Sequence, residues 1–334
     1  MMECHTLEVL DLALVHALQI DGRAPFSRIA AVLGVSDQTI ARRYRRLRSS
    51  GAVRVLGLPN AHRLGHVQWI VRIHCTPDAA ATIADALAKR QDTSWVSLTA
   101  GGTEIVCVTR ARSTQERDAL LLRKLPRTPR VVSVTAHCLL HVFFGGPTGW
   151  NGRGEVLTSD QVEQLRSFLP DPVVSETPLV LDERDERLMA TLAVDGRVGY
   201  PELAVAGDCS ESAAKRRLEH LRHHEALFFD VEIDAQLLGY ETEAMLWLSV
   251  PPSELVPVAH ALADHPEVAF AAATTGPTNL VASVACRNVE AFYRYLTDRV
   301  GVLRTVQHVE SAPIIRSVKR AGVVKRSPPG TLER

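Results

Sequence analysis

The sequence predicts an α+β chain in which two three-helix modules alternate with two modules of order βαββαβ. Three observations predict it: the chain matches itself at a fixed offset, each matching stretch shows helical spacing interrupted by a tight turn, and each is followed by short strands separated by amphipathic helices. The length of 334 residues exceeds one ordinary domain of roughly 100–200 residues. With 46% hydrophobic and 23% charged residues, the composition excludes collagen-like, disordered and coiled-coil classes.

Shifted by 174 residues, Asp11 to Ala52 falls on Asp185 to Ala226 with 13 of 42 positions identical, where chance gives about 2 or 3. The matches include Leu14/Leu188, Leu18/Leu192, Asp21-Gly22-Arg23 with Asp195-Gly196-Arg197, Ser36/Ser210, Arg42-Arg43 with Arg216-Arg217, and Leu47-Arg48 with Leu221-Arg222. Leu64-Gly65 and Leu238-Gly239 keep the offset; Thr99, Gly101 and Thr103 answer Thr274, Gly276 and Thr278 one residue later. The pattern reads as a tandem duplication. Its expected domains are 1–60, 61–144, a linker at 145–180, 181–234, 235–318, and a solvated tail at 319–334. Pro147, Gly149, Gly152, Gly154, Pro170 and Pro172 break the linker around one short helix near Ser159 to Phe168. Lys319 onward, with Lys325-Arg326 and Pro328-Pro329, reads as frayed.

Leu7, Leu10, Leu14 and Leu18 give a first helix that Asp21-Gly22-Arg23 stops. A second helix, Ser27 to Leu33, is closed by Gly34, and Ser36 with Asp37 starts a third that runs to Ser50. Helix, tight turn and helix make a helix-turn-helix. In the third helix Ile40, Tyr44 and Leu47 face the core, leaving Arg42, Arg43, Arg45, Arg46 and Arg48 on the other faces.

The 38 basic and 38 acidic residues cancel overall, yet Arg23 to Arg54 holds eight arginines against Asp37 alone, a local charge of +7. Taken alone, such a run is a solvated face; inside a helix-turn-helix it matches phosphate neutralisation and groove entry. Ser36, Asp37, Gln38 and Thr39 occupy the end of the helix that meets base edges, so Gln38 and Thr39 are candidate readers while Arg42, Arg43, Arg45 and Arg46 hold the backbone. In the second copy, five bases including Lys215, Arg216 and Arg217 meet five acids, and Ser212 and Ala213 replace the reader pair. That copy is expected to fold, and either to contact DNA more weakly or to serve as a packing partner.

A connecting strand at Val53 to Leu58 leads into strands at Val67 to Cys75, Thr93 to Thr99, Glu104 to Thr109 and Val131 to Val142, with helices at Asp78 to Lys89 and Thr114 to Lys124. The second copy repeats the order with Glu243 to Val250, Ser253 to Asp264, Val268 to Thr274, Asn279 to Ala285, Val289 to Asp298 and Val302 to Val309. This is the ferredoxin-like order. Each such sheet leaves one face in need of cover, which the two copies can supply to each other.

Leu18-x-x-Asp21-Gly22-Arg23, Ile29-Ala30, Ser36, Arg42-Arg43, Leu47-x-x-x-Gly51-x-Val53 and Leu64-Gly65 resemble the Lrp/AsnC family of transcriptional regulators. The second copy departs from the pattern with Glu225 at the exit glycine. The resemblance covers nearly the whole chain twice. It implies two winged-type helix-turn-helix domains alternating with two ferredoxin-like (βαββαβ) dimeric α/β-barrel domains. It further implies double-stranded DNA as partner, an internal pseudo-dimer that associates into a homo-oligomer, and a small-molecule effector such as an amino acid. The effector would meet Gly101, Thr103 and Glu104, and Gly276, Thr278 and Asn279, positions where the family has a Gly-x-x-Asp turn; neither copy has that aspartate. Without an effector these are plain hairpin turns.

No cofactor is expected, and no Gly-x-Ser-x-Gly, Walker loop or His-Glu-x-x-His motif calls for catalysis. Cys4, Cys75, Cys107, Cys138, Cys209 and Cys286 form no Cys-x-x-Cys pair and read as reduced thiols. Strand alternation puts His137 and His141 on one side, but at ~3.3 Å per residue they stand too far apart to share a tetrahedral ion. The rival reading is an enzyme: siroheme decarboxylases share this fold and can occur as fused halves, and His66, Arg72, His74, His137 and His141 fit a carboxylate-rich macrocycle. The arginine-rich third helix argues against it. No apolar stretch is long enough for a membrane span, and Glu3, His5 and Glu8 interrupt the start of the chain, so the expected location is the cytoplasm without membrane contact.

Overall fold

The computed structural model describes residues 7–146, 156–169, 173 and 177–324; Pro147, Gly149, Gly152, Gly154, Pro170, Pro172 and the residues beyond Val324 lie outside them. In chain order the elements are α1 (Val9–Ile20), α2 (Phe26–Leu33), α3 (Asp37–Ser49) and β1 (Val53–Pro59), then β2 (Val67–Cys75), α4 (Pro77–Ala88), β3 (Thr93–Thr99), β4 (Glu104–Ala111), α5 (Thr114–Asp118) and β5 (Val131–Phe144). After α6 (Ser159–Arg166) follow α7 (Glu183–Val194), α8 (Tyr200–Gly207), α9 (Glu211–His223) and β6 (Leu227–Ile233). The chain ends with β7 (Thr242–Ser249), α10 (Leu255–Ala263), β8 (Val268–Thr274), β9 (Leu280–Cys286), α11 (Val289–Arg294), β10 (His308–Arg320) and β11 (Val323–Val324). Both α5 and α11 run on into a π-helical turn, Ala119–Lys124 and Tyr295–Val300. Among the described residues no helix is long and apolar enough to cross a membrane.

Two compact units form, neither continuous in sequence: Met1–Leu64 with Gly145–Glu241, and Gly65–Phe144 with Thr242–Arg334. The helical unit pairs the two three-helix modules. In the first, Leu14, Leu18, Ile29, Ile40, Tyr44 and Leu47 form the core, and Ser36 caps α3 by accepting the Thr39 N–H. In the second, Leu188, Leu192, Leu203, Ala214, Leu218 and Leu221 do the same, and Ser210 caps α9. Asp208 and Glu225 take the left-handed conformation that Gly34 and Gly51 take in the first module, so the missing glycines do not change the turns.

Each helix-turn-helix is fastened from within by an acid of its first helix. Asp11 is fully buried and accepts from Arg43 at 3.0 Å and Arg46 at 2.5 Å; Asp185 is equally buried and accepts from Arg217 at 2.8 Å. The modules are then fastened to each other. β1 and β6 pair antiparallel from Val53↔Ile233 to Pro59↔Leu227. Arg23 donates to the carbonyls of Gly196 and Val198, while Arg197 donates to those of Gly22 and Ala24. Arg23 lies over the Tyr200 ring and Arg197 over Phe26; Arg48 pairs with Asp195 and Arg222 with Asp21. Every partner in this exchange stands 174 residues from its counterpart. The Asp195-Gly196-Arg197 turn lies so close to β1 that a Cβ on Gly196 would stand 2.9 Å from the Leu56 backbone.

The segment read as a linker does more than connect. Leu157 and Leu165 are buried in the core of the first module, and Gln161 donates to the Val32 carbonyl at 3.0 Å.

The other unit is a closed barrel. Strand order runs β10-β3-β4-β2-β5-β8-β9-β7, and β7 pairs back with β10. Two long strands make the closure: β5 pairs with β2 up to Cys138 and with β8 from Leu139, and β10 pairs with β7 up to Pro313 and with β3 from Ile314. Val71, Ile73, Ile105 and Cys107 pack outward under α4, and Leu246, Leu248, Leu280 and Ala282 pack outward under α10 and α11. Ile70, Val106, Met245, Trp247, Ala272 and Val281 form the core on the other face of the sheet.

The last strand was expected at Val302 to Val309 but forms at His308–Arg320. Accordingly Lys319 is not the start of a frayed tail: it is 4% exposed, donates to the Arg90 carbonyl at 2.6 Å, and pairs across to Val324. The strand carries Pro313 and several charges, and much of what it pairs with lies in the first half of the chain, so its own residues do not announce it.

Two outcomes follow from this packing. Arg217→Ala leaves buried Asp185 without the only arginine that reaches it among the described residues and should lower stability to urea by about 3–5 kcal/mol. Arg43→Ala should cost less because Arg46 stays on Asp11, where the second module has His220; equal losses would contradict the assignment. Asp230 in β6 is pushed up to about 6, by burial first and by Glu232 in addition. Its folded-state pKa is raised, so the stability it permits is complete below the ordinary carboxylate range and is lost as pH rises through about 6. Asp230→Asn should therefore raise the melting temperature near pH 8 and leave it unchanged at about pH 3.5.

Candidate functional site

The third helix presents two stripes at the same spacing. Ile40, Tyr44 and Leu47 are buried, and Gln38, Arg42 and Arg45, also at i, i+4 and i+7, are exposed. Among the described residues neither Arg42 nor Arg45 has an acidic partner; Arg45 reaches only the Ala41 carbonyl, one turn back. Asp37 takes the backbone N–H of Gln38, and the Ser36 hydroxyl lies 2.9 Å from that of Thr39. Ser36 and Thr39 are thus tied to the cap, and the Gln38 amide is the group of this turn left to solvent.

The arginine run itself needs correction. Arg43 and Arg217, read as backbone-phosphate contacts, are committed to Asp11 and Asp185, and Arg46 shares Asp11 while remaining 55% exposed. Arg23 and Arg48 serve the clasp, Arg54 pairs with Glu232 at 2.9 Å, and Arg28 stacks on Phe168 at 3.6 Å. The acids that neutralise the run, Glu8, Asp11, Asp195 and Glu232, all lie outside the window Arg23 to Arg54. On α9 the equivalent exposed stripe is Ser212, Arg216 and Glu219; Lys215 stands 3.9 Å from Glu219.

The two candidate effector turns are spent differently. Gly101 sits in a turn with Thr103, whose hydroxyl donates to the Ala100 carbonyl. Glu104 does not face solvent: it is 1% exposed and accepts from Arg72 at 2.6 Å and from Thr99 at 2.8 Å. Arg72 also donates to Glu310 at 2.9 Å and lies over Trp247 at 4.6 Å. Burial opposes the charge of Arg72, but its bonds to Glu310 and Glu104 outweigh it and hold the guanidinium above its ordinary pKa; Arg72 in turn holds Glu310 below the usual carboxylate range. In the second turn Asn279 closes on Val250, donating to its carbonyl and accepting its N–H, and Thr278 gives its carbonyl to Thr274. Gly276 packs onto the His137 ring, where a Cβ would come within 2.3 Å of Nδ1. Glu104 and Asn279 are therefore internal fasteners, and reading them as effector contacts is revised.

The histidines do not gather. His137 is buried beside Trp247, ring centroids 6.0 Å apart, with Nδ1 2.7 Å from the Thr275 carbonyl. His141 packs edge-on against Phe143, which meets His260 of α10 in the helix-side core. Register shifts in β5 at Leu139/His141 and Val142/Phe144 turn His141 away, so simple alternation from His137 fails. His74 stands 3.5 Å from Glu104, beside the Arg72 triad that the sequence did not reveal.

Residues 7–48 match the AsnC-type helix-turn-helix domain, and residues 243–324 match the Lrp/AsnC ligand binding domain. The chain is 28% identical over 147 residues to an uncharacterized HTH-type transcriptional regulator of Pyrococcus furiosus, covering 44% of this chain and 99% of that one. It is 25% identical over 138 residues to the HTH-type transcriptional regulator FL11 of the same organism, covering 41% and 91%. Among solved structures, the siroheme decarboxylase NirDL shares the fold over 92% of this chain and 93% of that one, with a TM-score of 0.62 and 14% identity. The exposed stripe on α3 lies inside the first matched domain and the Arg72 partner Glu310 inside the second, so the chain carries an AsnC-type helix-turn-helix domain and an Lrp/AsnC ligand binding domain.

Proposed function

We propose that the chain is a cytoplasmic, sequence-specific regulator of transcription that binds double-stranded DNA through α3, with its two halves, products of a tandem duplication, acting as an internal pseudo-dimer. The observation that carries this reading is the stripe Gln38, Arg42, Arg45: an amide at the leading turn and two guanidinium groups behind it that have no acidic partner among the described residues, all on the solvent side of an AsnC-type helix-turn-helix. Gln38 suits base edges and the two arginines suit phosphate. Association of barrels into a homo-oligomer, and response to an amino acid or related metabolite, belong to the same reading. An effector at the hairpin turns would meet Gly101 and Thr103 rather than the occupied carboxylate of Glu104.

The enzyme reading draws on the whole-length fold likeness to NirDL. Against it stand the separation of His137 from His141 and the commitment of Arg72 to two carboxylates. A tetrapyrrole absorbance band on adding siroheme, together with no selective duplex binding, would replace the regulator by the decarboxylase.

Salt titration of binding to duplex from upstream of the protein's own gene, with a scrambled duplex as control, tests the regulator. Arg42→Ala with Arg45→Ala should flatten the slope of log K against log salt by about 2. Arg43→Ala should leave that slope unchanged while lowering stability, and a slope change equal to that of an exposed arginine would contradict its internal assignment.

A further inference from the structure

We infer that the duplex recognised by this chain is non-palindromic, with one half-site read base by base by α3 and the other only held through its backbone. The inference rests on the DNA-binding reading above and deepens it.

The first ground is fixed pairing. The exchange of Arg23, Arg197, Arg48 and Arg222 across the two modules, with the β1–β6 ladder, binds α3 to α9 within one chain. Within one chain α3 therefore meets DNA beside α9, not beside a second α3. An inverted repeat mirrors a two-fold protein whose two recognition helices are identical; here they are not.

The second ground is the chemistry of the two exposed stripes. Position by position, Gln38, Thr39, Arg42, Arg45 and Arg46 of α3 answer to Ser212, Ala213, Arg216, Glu219 and His220 of α9. The long amide able to bond an adenine edge in two places becomes a serine whose hydroxyl lies 3.1 Å from the Ser210 hydroxyl. The alanine offers no polar contact at all. Arg45 becomes Glu219, a carboxylate that would face phosphate with like charge. Burial first, then His224 and Arg217, push His220 below its ordinary value, so it takes up a proton less readily than a free imidazole at the position where the first module has the arginine Arg46. Of the α3 stripe's cations without an acidic partner among the described residues, only Arg42 has a counterpart, Arg216, and one guanidinium suffices to hold a phosphate without reading sequence.

The third ground is bracing. Leu157 and Leu165, on and just before α6, pack into the core of the first module, fixing the module that carries the reader. Recognition by a rigid element is more selective than by a loose one.

Selection of duplexes from a random library by the full chain tests this. The expected motif has one informative half; substitution of a base pair there weakens binding by about tenfold, and of one in the other half by less than about twofold. The triple variant Ser212→Gln, Ala213→Thr, Glu219→Arg, all at exposed or half-exposed positions, should add a second informative half and shift the selected motif towards an inverted repeat. An inverted repeat with two equal halves selected by the unaltered chain overturns the inference and leaves DNA binding standing. No enrichment of any sequence overturns the DNA-binding reading and the inference with it.

Discussion

Four backbone carbonyls at the meeting of the two helical modules, those of Gly22, Ala24, Gly196 and Val198, are satisfied by arginines from the opposite module, and the organisation of that unit follows from this exchange. A turn that ends a helix leaves carbonyls without intrahelical partners. Here a guanidinium from across the interface takes two of them at once. Burial pushes both Arg23 and Arg197 down from their ordinary pKa, yet a guanidinium keeps its charge, and each has a ring of the other module beneath it. Neither module can form this interface with water. Asp-Gly-Arg is therefore a clasp, with the glycine demanded by the closeness of the facing strand.

The barrel obeys the same logic of mutual completion. Each βαββαβ half covers one sheet face with its own helices and leaves the other open. Closure through β5 and β10 turns the open faces towards each other and, by pairing β5 with β8 and β10 with β3, removes four sheet edges that would otherwise be free. Across that closure Arg72 of the first half joins Glu104 of its own half to Glu310 of the second. A buried ion group of this kind adds little net stability, because desolvation offsets attraction, but a wrong register would strand a charge. It specifies which strand lies beside which.

Much of the fold could be read from residues alone because its signals are local. Apolar spacing placed α1 and α3 within a few residues, and Ser36 caps the helix it was expected to cap, as its counterpart Ser210 caps α9. What could not be read depended on partners distant in sequence. A window of +7 looked like a field for DNA because Asp11 lies 32 residues before Arg43 and Asp195 lies 147 after Arg48. β10 was misplaced because its outer half pairs with β3, more than two hundred residues earlier. His141 was misdirected by register shifts, which leave no mark on an alternating sequence. Within the site, the stripe Gln38, Arg42, Arg45 was contained in the expected set; telling it from Arg43 required the buried acid.

The identities between the two modules carry a lesson about what sequence matching measures. Asp11/Asp185 and Arg43/Arg217 are the inner fastener; Asp21-Gly22-Arg23, Arg48 and their counterparts are the clasp; Leu14, Leu18, Leu47 and their counterparts are core; Ser36/Ser210 is the cap. Ala30 and Ala204 are both buried as well, and Ala52 and Ala226 pack against the module cores, which leaves Arg42/Arg216 as the identical pair whose side chains face solvent without an ionic partner among the described residues. What the modules share is thus what holds them together, since a change on one side of a reciprocal interface strands a group on the other. The solvent stripes bear no such mutual constraint. They are free to differ, and the residues that would meet a nucleic acid are the ones in which they do.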